Sequence, residues 1–194
     1  MKKTVFFFVG LILITQPAFA DDIAEVDAFM KKRLGNIMAL LQDKTLQQDT
    51  RDEKIIAIIT EAFDFRLMSK LTLGKRHWPG LSKAEKARFT ELFIERLKAS
   101  YLEKLNLYDD EQIVYGKPKL VKNKVQMMTE LVSKDSKITM RYKLYKSKKT
   151  GWRVYDVSIE GVSLITTYRS QFNEVLQTGT MKDLFTKLER PEAN

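Results

Sequence analysis

Apolar residues recur along this chain at two spacings, one suited to helices and one to strands. Ile23, Val26, Met30, Leu34, Ile37 and Leu41 step by three or four, which predicts one face of a helix of about twenty residues. The polar stretch QDKTLQQDT closes it. Ile55, Ile58, Ile59 and Ala62 align on a second helix over 52–62. Residues 63–74 read as a compact amphipathic segment stopped by Gly74, and 75–80 as a loop fixed by Pro79-Gly80. Ser82 and Glu85 form a capping-box signature. The helix they start runs to about Leu105, with Phe89, Phe93, Leu97, Tyr101 and Leu105 in a row.

After Leu107 the spacing changes to two. Ile113 and Tyr115 mark a short strand. Val125, Met127, Thr129 and Leu131 form one face of a second strand, and Ile138, Met140, Tyr142 and Leu144 one face of a third. KSKKTG, 146–151, is a hairpin turn, and 152–160 is a fourth strand with Tyr155, Val157 and Ile159 on one face. Beyond Gly161, Val162, Ile165, Tyr168, Phe172 and Val175 align on a helix over 162–176, and a shorter helix follows near 181–188. Helices, then consecutive antiparallel strands, then helices, make an α+β fold: a four-stranded curled sheet covered by helices. A curled sheet capped by helices leaves a cone, where a cavity can form. The apolar faces on either side of Gly161 either close on each other as core or line a space for an apolar ligand.

The first residues change the picture. Met1-Lys2-Lys3, an apolar run and Ala18-Phe19-Ala20 are the three parts of a cleavable signal peptide, residues 1–20. Cleavage removes 20 of the 194 residues and leaves 174, a single exported domain over 21–194. It also removes two lysines and lowers the formal net charge from +9 to +7, which favours an acidic partner or an anionic lipid surface. With no cysteine, the chain is expected to carry neither disulfides nor a lipoprotein anchor.

Candidate chemistry is sparse. The only histidine, His77, reads as a partly exposed loop residue beside Trp78, so a metal site of several histidines is ruled out. The eight glycines are scattered and form no phosphate loop. No catalytic residue, metal or cofactor is expected. Asp156 and Glu160 fall on the strand face opposite Tyr155, Val157 and Ile159; they could do acid–base work only inside a cavity, and solvent or pairing with cations is the preferred reading. Arg141, Lys143, Lys146, Lys148, Lys149 and Arg153 cluster around the hairpin. A solvated tip, a docking patch for an acidic partner or lipid surface, and a nucleic-acid site compete here, and the export signal speaks against the last. Met38, Met68, Met127, Met128 and Met140 suit a pocket for flexible chains, and equally a plain core.

The segment from Gly151 to Leu188 resembles the closing part of the MlaC family, the periplasmic phospholipid carriers also called toluene-tolerance ABC-transporter auxiliary proteins. Trp152, Tyr155-Asp156 and Glu160-Gly161-Val162-Ser163 carry the match. Upstream, Phe63-Asp64-Phe65, Leu73-Gly74, Trp78, Phe89, Phe93, Tyr101 and Leu105 resemble the family pattern as well. The resemblance implies an NTF2-like or cystatin-like fold, with an apolar pocket that holds phospholipid acyl chains and no reaction. It implies partners too: an outer-membrane MlaA-type lipoprotein complex and an inner-membrane MlaFEDB-type ABC transporter with an MCE-domain protein. The role implied is lipid asymmetry of the outer membrane.

With that resemblance, strand and helix phase give an expected pocket wall. Tyr155, Val157, Ile159, Val162 and Ile165 form one side; Met127, Leu131, Met140, Tyr142, Leu71, Phe93 and Tyr101 face them. Three alternatives stay open: a carrier of another apolar lipid such as a hopanoid, an NTF2-like enzyme, and a ligand-free interaction protein using the basic hairpin.

Overall fold

Helix α1 (Ala18–Gln42) and helix α2 (Gln48–Ala62) follow the predicted stripes, with Val26, Met30, Leu41 and Ile55 buried. The structure, a computed structural model, describes residues 18–106 and 111–190. The expected signal peptide falls largely outside them. No helix among the described residues is long and apolar enough to cross a membrane.

Helix α3 (Phe65–His77) is started by Asp64, whose carboxylate accepts the Leu67 N–H at 2.8 Å. Gly74, at φ 67°, breaks it. The chain beyond is not the expected loop: residues 75–77 make a further helical turn and Trp78–Gly80 a 3-10 turn. The capping box forms as read, with Ser82 N–H on Glu85 Oε2 at 2.8 Å and Glu85 N–H on Ser82 Oγ at 3.2 Å, and opens α4 (Lys83–Asn106).

One antiparallel sheet holds β1 (Gln112–Tyr115), β2 (Lys119–Val121), β3 (Lys124–Val132), β4 (Lys137–Ser147), β5 (Gly151–Ile159) and β6 (Val162–Ser163). Its order is β1-β3-β4-β5-β6, with β2 beside β1 on the same edge of β3. Four strands were expected; β2 and β6, of three and two residues, are too short to show alternation. The other edge of β5 is covered by the α2–α3 junction, where Asp64 N–H donates to Val154 O at 2.9 Å.

Two features of β5 correct its expected phase. Leu144 pairs with Val154 but Lys143 pairs with Asp156, so Tyr155 is the extra residue of a β-bulge. Trp152, Val154, Val157 and Ile159 therefore share the inner face, and Tyr155 turns outward onto Tyr145 and Lys124. Glu160 and Gly161, at φ 48° and 81°, then make a two-residue hairpin turn, so β6 pairs back on β5 before the last helices begin. Those are α5 (Leu164–Thr178) and α6 (Met181–Glu189).

The helices cover the sheet as two cores. One joins α3, α4, α5 and α6 through Phe89, Phe93, Tyr168 and Phe172. The other presses α1 onto the sheet through Val26, Met30, Val125, Met127, Leu144 and Trp152. Lys146 and Trp152 pin the start of α1: Lys146 Nζ meets Asp22 and Glu25, and Trp152 Nε1 donates to Glu25 at 2.7 Å.

Candidate functional site: an apolar cavity between the two cores

Between the cores lies a cavity of about 270 Å³. Leu34, Ile37, Met38 and Leu41 of α1 and Ile56, Ile59 and Thr60 of α2 form one side. Phe63, Phe65 and Met68 close one end. Ile94, Leu97, Lys98 and Tyr101 of α4 stand across from the sheet residues Ile113, Thr129, Leu131, Met140, Tyr142, Val157 and Ile159, and Leu164 opens α5 beside them.

Its polar wall groups already have partners. Thr60 Oγ1 donates to Ile56 O at 2.7 Å, Tyr142 Oη to Met140 Sδ at 3.2 Å, and Lys98 Nζ to Glu95 Oε1 at 2.8 Å. Burial pushes the Tyr142 phenol up to about 12, so it stays neutral. A hydrocarbon chain could lie here without stranding a donor or acceptor.

Six of the twelve expected wall residues face this cavity: Tyr101, Leu131, Met140, Tyr142, Val157 and Ile159. The other six do not. Tyr155 is turned out by the bulge. Val162, on β6 instead of a helix, is 61% exposed. Met127 is on the inner face but sealed under α1. Phe93 and Ile165 pack in the helical core. Leu71 lines a separate groove of about 560 Å³ between α3 and α5. That groove is larger but carries Lys70, Lys75, Arg76 and Arg169, a rim of cations unsuited to enclosing hydrocarbon. The walls missed were those of α1, α2 and the α2–α3 junction. Their apolar stripes were legible; that they border a space instead of core was not.

Asp156 pairs with a cation, as the sequence reading preferred, but from a buried position. Its carboxylate is held by Lys143 Nζ at 2.8 Å, by Ser163 Oγ and by the Ile165 N–H at 3.3 Å. It points away from the cavity and joins β5 to α5. Glu160, in the turn after β5, bonds Thr139 of β4: its N–H donates to Thr139 O at 2.9 Å, and its carboxylate accepts the Thr139 N–H. Among the described residues, no group of three His, Cys, Asp or Glu could hold a metal ion.

Of the six basic residues around the hairpin, Lys143 and Lys146 are engaged with Asp156 and with Asp22 and Glu25. Arg141, Lys148 and Lys149 are exposed, and Arg153 is half-buried.

A family model described as "MlaC protein" matches residues 31–190. The structure is also similar to that of a phospholipid-binding protein from Ralstonia solanacearum in complex with a phospholipid. The TM-score is 0.74 at 20% identity, over 84% of this chain and 93% of that one. At that identity the likeness shows a common fold.

Proposed function

The chain belongs to the MlaC family, and from that premise we propose that it is a periplasmic phospholipid carrier, with the acyl chains in the cavity between the two cores. The observation that carries this reading is the cavity itself: apolar walls from both cores, with polar groups already satisfied. The fold shared with a protein bound to phospholipid supports it.

The energetics suit a carrier. Hiding the roughly 30 methylenes of two acyl chains from water contributes on the order of 24 kcal/mol at about 0.8 kcal/mol each. That exceeds the practical ceiling of non-covalent affinity, near 18–21 kcal/mol. The chains come from a bilayer, however, where they are already dry. Transfer into an apolar cavity is then close to an even exchange, and contacts with partners set its direction.

The cavity, about 270 Å³, sits just under the roughly 300–1,000 Å³ common for ligand pockets. Loading therefore requires the walls to move apart. Met38, Met68 and Met140, unbranched and adaptable, line the part that would reshape.

The carrier exchanges lipid with an outer-membrane MlaA-type complex and an inner-membrane MlaFEDB-type transporter bearing an MCE-domain protein. Arg141, Lys148, Lys149 and Arg153 form the docking patch; Lys143 and Lys146 have structural roles. The test is transfer of a labelled phospholipid between donor and acceptor vesicles. Transfer that rises in proportion to protein concentration is expected; none above the spontaneous rate would overturn the reading.

A further inference from the structure

We infer that Lys98 binds the phosphodiester of the cargo at the cavity mouth. The inference rests on the phospholipid reading and names the group that takes the head.

The packing of the helices locates the mouth. Helix α2 packs chiefly on α1 and β5, and α4 on α3 and α6, and a seam where both border the cavity, through Thr60 and Lys98, is the proposed mouth. The cavity residues there reach solvent: Thr60 on α2 is exposed, and the Lys98 side chain on α4 is 33% exposed. Other wall residues, Met68 and Thr129, are fully or almost fully buried. Acyl chains enter from the seam, and the headgroup stays beside Lys98.

Lys98 is the one charged side chain on the cavity wall, among the described residues. Its apolar stem lies along the wall, beside Leu97 and Tyr101, while the ammonium reaches water. Two cations of α1 have contacts of their own: Arg33 stacks on Phe29 and Lys31 pairs with Asp27. A phosphodiester at the seam brings one negative charge to the one cation on the described cavity wall.

The ammonium's present partner is easily exchanged. Glu95 lies three residues earlier on the same helix, and its side chain is 61% exposed. Exposed pairs of that kind hold weakly. A phosphate oxygen beside an apolar wall is less well hydrated, and a charge-assisted bond to it is stronger. Lys98 thus exchanges Glu95 for phosphate when the lipid loads.

The test compares two probes with the same acyl chains, a phospholipid and a diacylglycerol that lacks the phosphate, loaded from vesicles into the full chain. Lys98→Ala should lower phospholipid loading about tenfold and leave diacylglycerol within about twofold. Lys98→Glu should lower phospholipid further, and Lys98→Arg should retain it. Equal phospholipid loading by wild type and Lys98→Ala would overturn the inference, as would a fall in both probes together. Inorganic phosphate in excess should leave bound lipid in place; displacement would make free phosphate the anion taken and overturn the assignment to lipid. Wild-type protein that loads no phospholipid would instead sink the carrier reading and this inference with it.

Discussion

The Asp156 carboxylate accepts the Ser163 hydroxyl at 2.9 and 2.8 Å from its two oxygens. Ser163 in turn caps α5 by accepting the Thr166 N–H at 3.2 Å, and Lys143 neutralises Asp156 from the neighbouring strand. Asp156 and Ser163, both within the run that carries the sequence resemblance, therefore build a joint. They set the angle at which α5 leaves the sheet, and with it the position of Leu164 on the cavity wall.

Breaking that joint should destabilise the protein. Asp156→Ala leaves the Ser163 hydroxyl and the Ile165 N–H without their acceptor and should cost about 3 kcal/mol. Ser163→Ala removes mainly the cap and should cost about 1 kcal/mol. Denaturant unfolding measures both; an Asp156→Ala protein as stable as wild type would contradict the account.

Filling the cavity should separate ligand from fold. Ile159→Trp and Leu131→Trp place a large side chain where the acyl chain would lie, at an overpacking cost of about 1–3 kcal/mol. Folded protein of either variant should carry less than about a tenth of the wild-type lipid. Phe93→Leu, in the helical core, should lower Tm and leave lipid per chain unchanged. Tyr155→Ala should also leave it unchanged, since that ring faces outward.

Stability should fall at high pH. Burial pushes the Tyr142 phenol up to about 12; burial and the hydrogen bond to Asp64 do the same for Tyr145. A pKa raised in the folded state means the folded protein holds the proton more tightly than the unfolded chain. The stabilisation is complete below about pH 10 and is lost as pH rises from about 10 to 12. Tm measured from pH 8 to 12 should drop in that window, and Tyr142→Phe should flatten the drop.

Gly161 should resist substitution. At φ 81° it occupies a region where a Cβ is strained, although no neighbouring atom crowds it. Gly161→Ala should therefore cost about 1 kcal/mol through backbone conformation alone. Gly161→Asn, which tolerates left-handed backbone better, should cost less.

Much of the fold was legible because periodicity reports which side of an element is apolar. The stripe from Ile23 to Leu41, the Ser82–Glu85 box and the alternation of Met127 to Leu131 all sit in the elements they predict. The inner faces of β3 and β4 were correct for the same reason. β5 failed at one residue: the bulge at Tyr155 inserts a position that alternation alone does not show, because Trp152–Ile159 is apolar on both sides of it. The Glu160–Gly161 turn was hidden for a related reason, since a two-residue β6 carries no period. The cavity was half legible. Phase identifies Val157, Ile159 and Met140 as inward, but whether an inward residue meets another side chain or a space depends on how α1, α2 and α4 are spaced. Phe93 and Tyr101 lie on one stripe of α4, yet one packs in core and the other borders the cavity.

The most direct measurement is the lipid that the protein itself carries. The chain would be purified from a periplasm without detergent, weighed intact by native mass spectrometry, then denatured and its released lipid identified. The account predicts phospholipid at about one molecule per chain, lost in Ile159→Trp. Protein that is folded and free of lipid, or loaded with a single species lacking a phosphodiester, would contradict it.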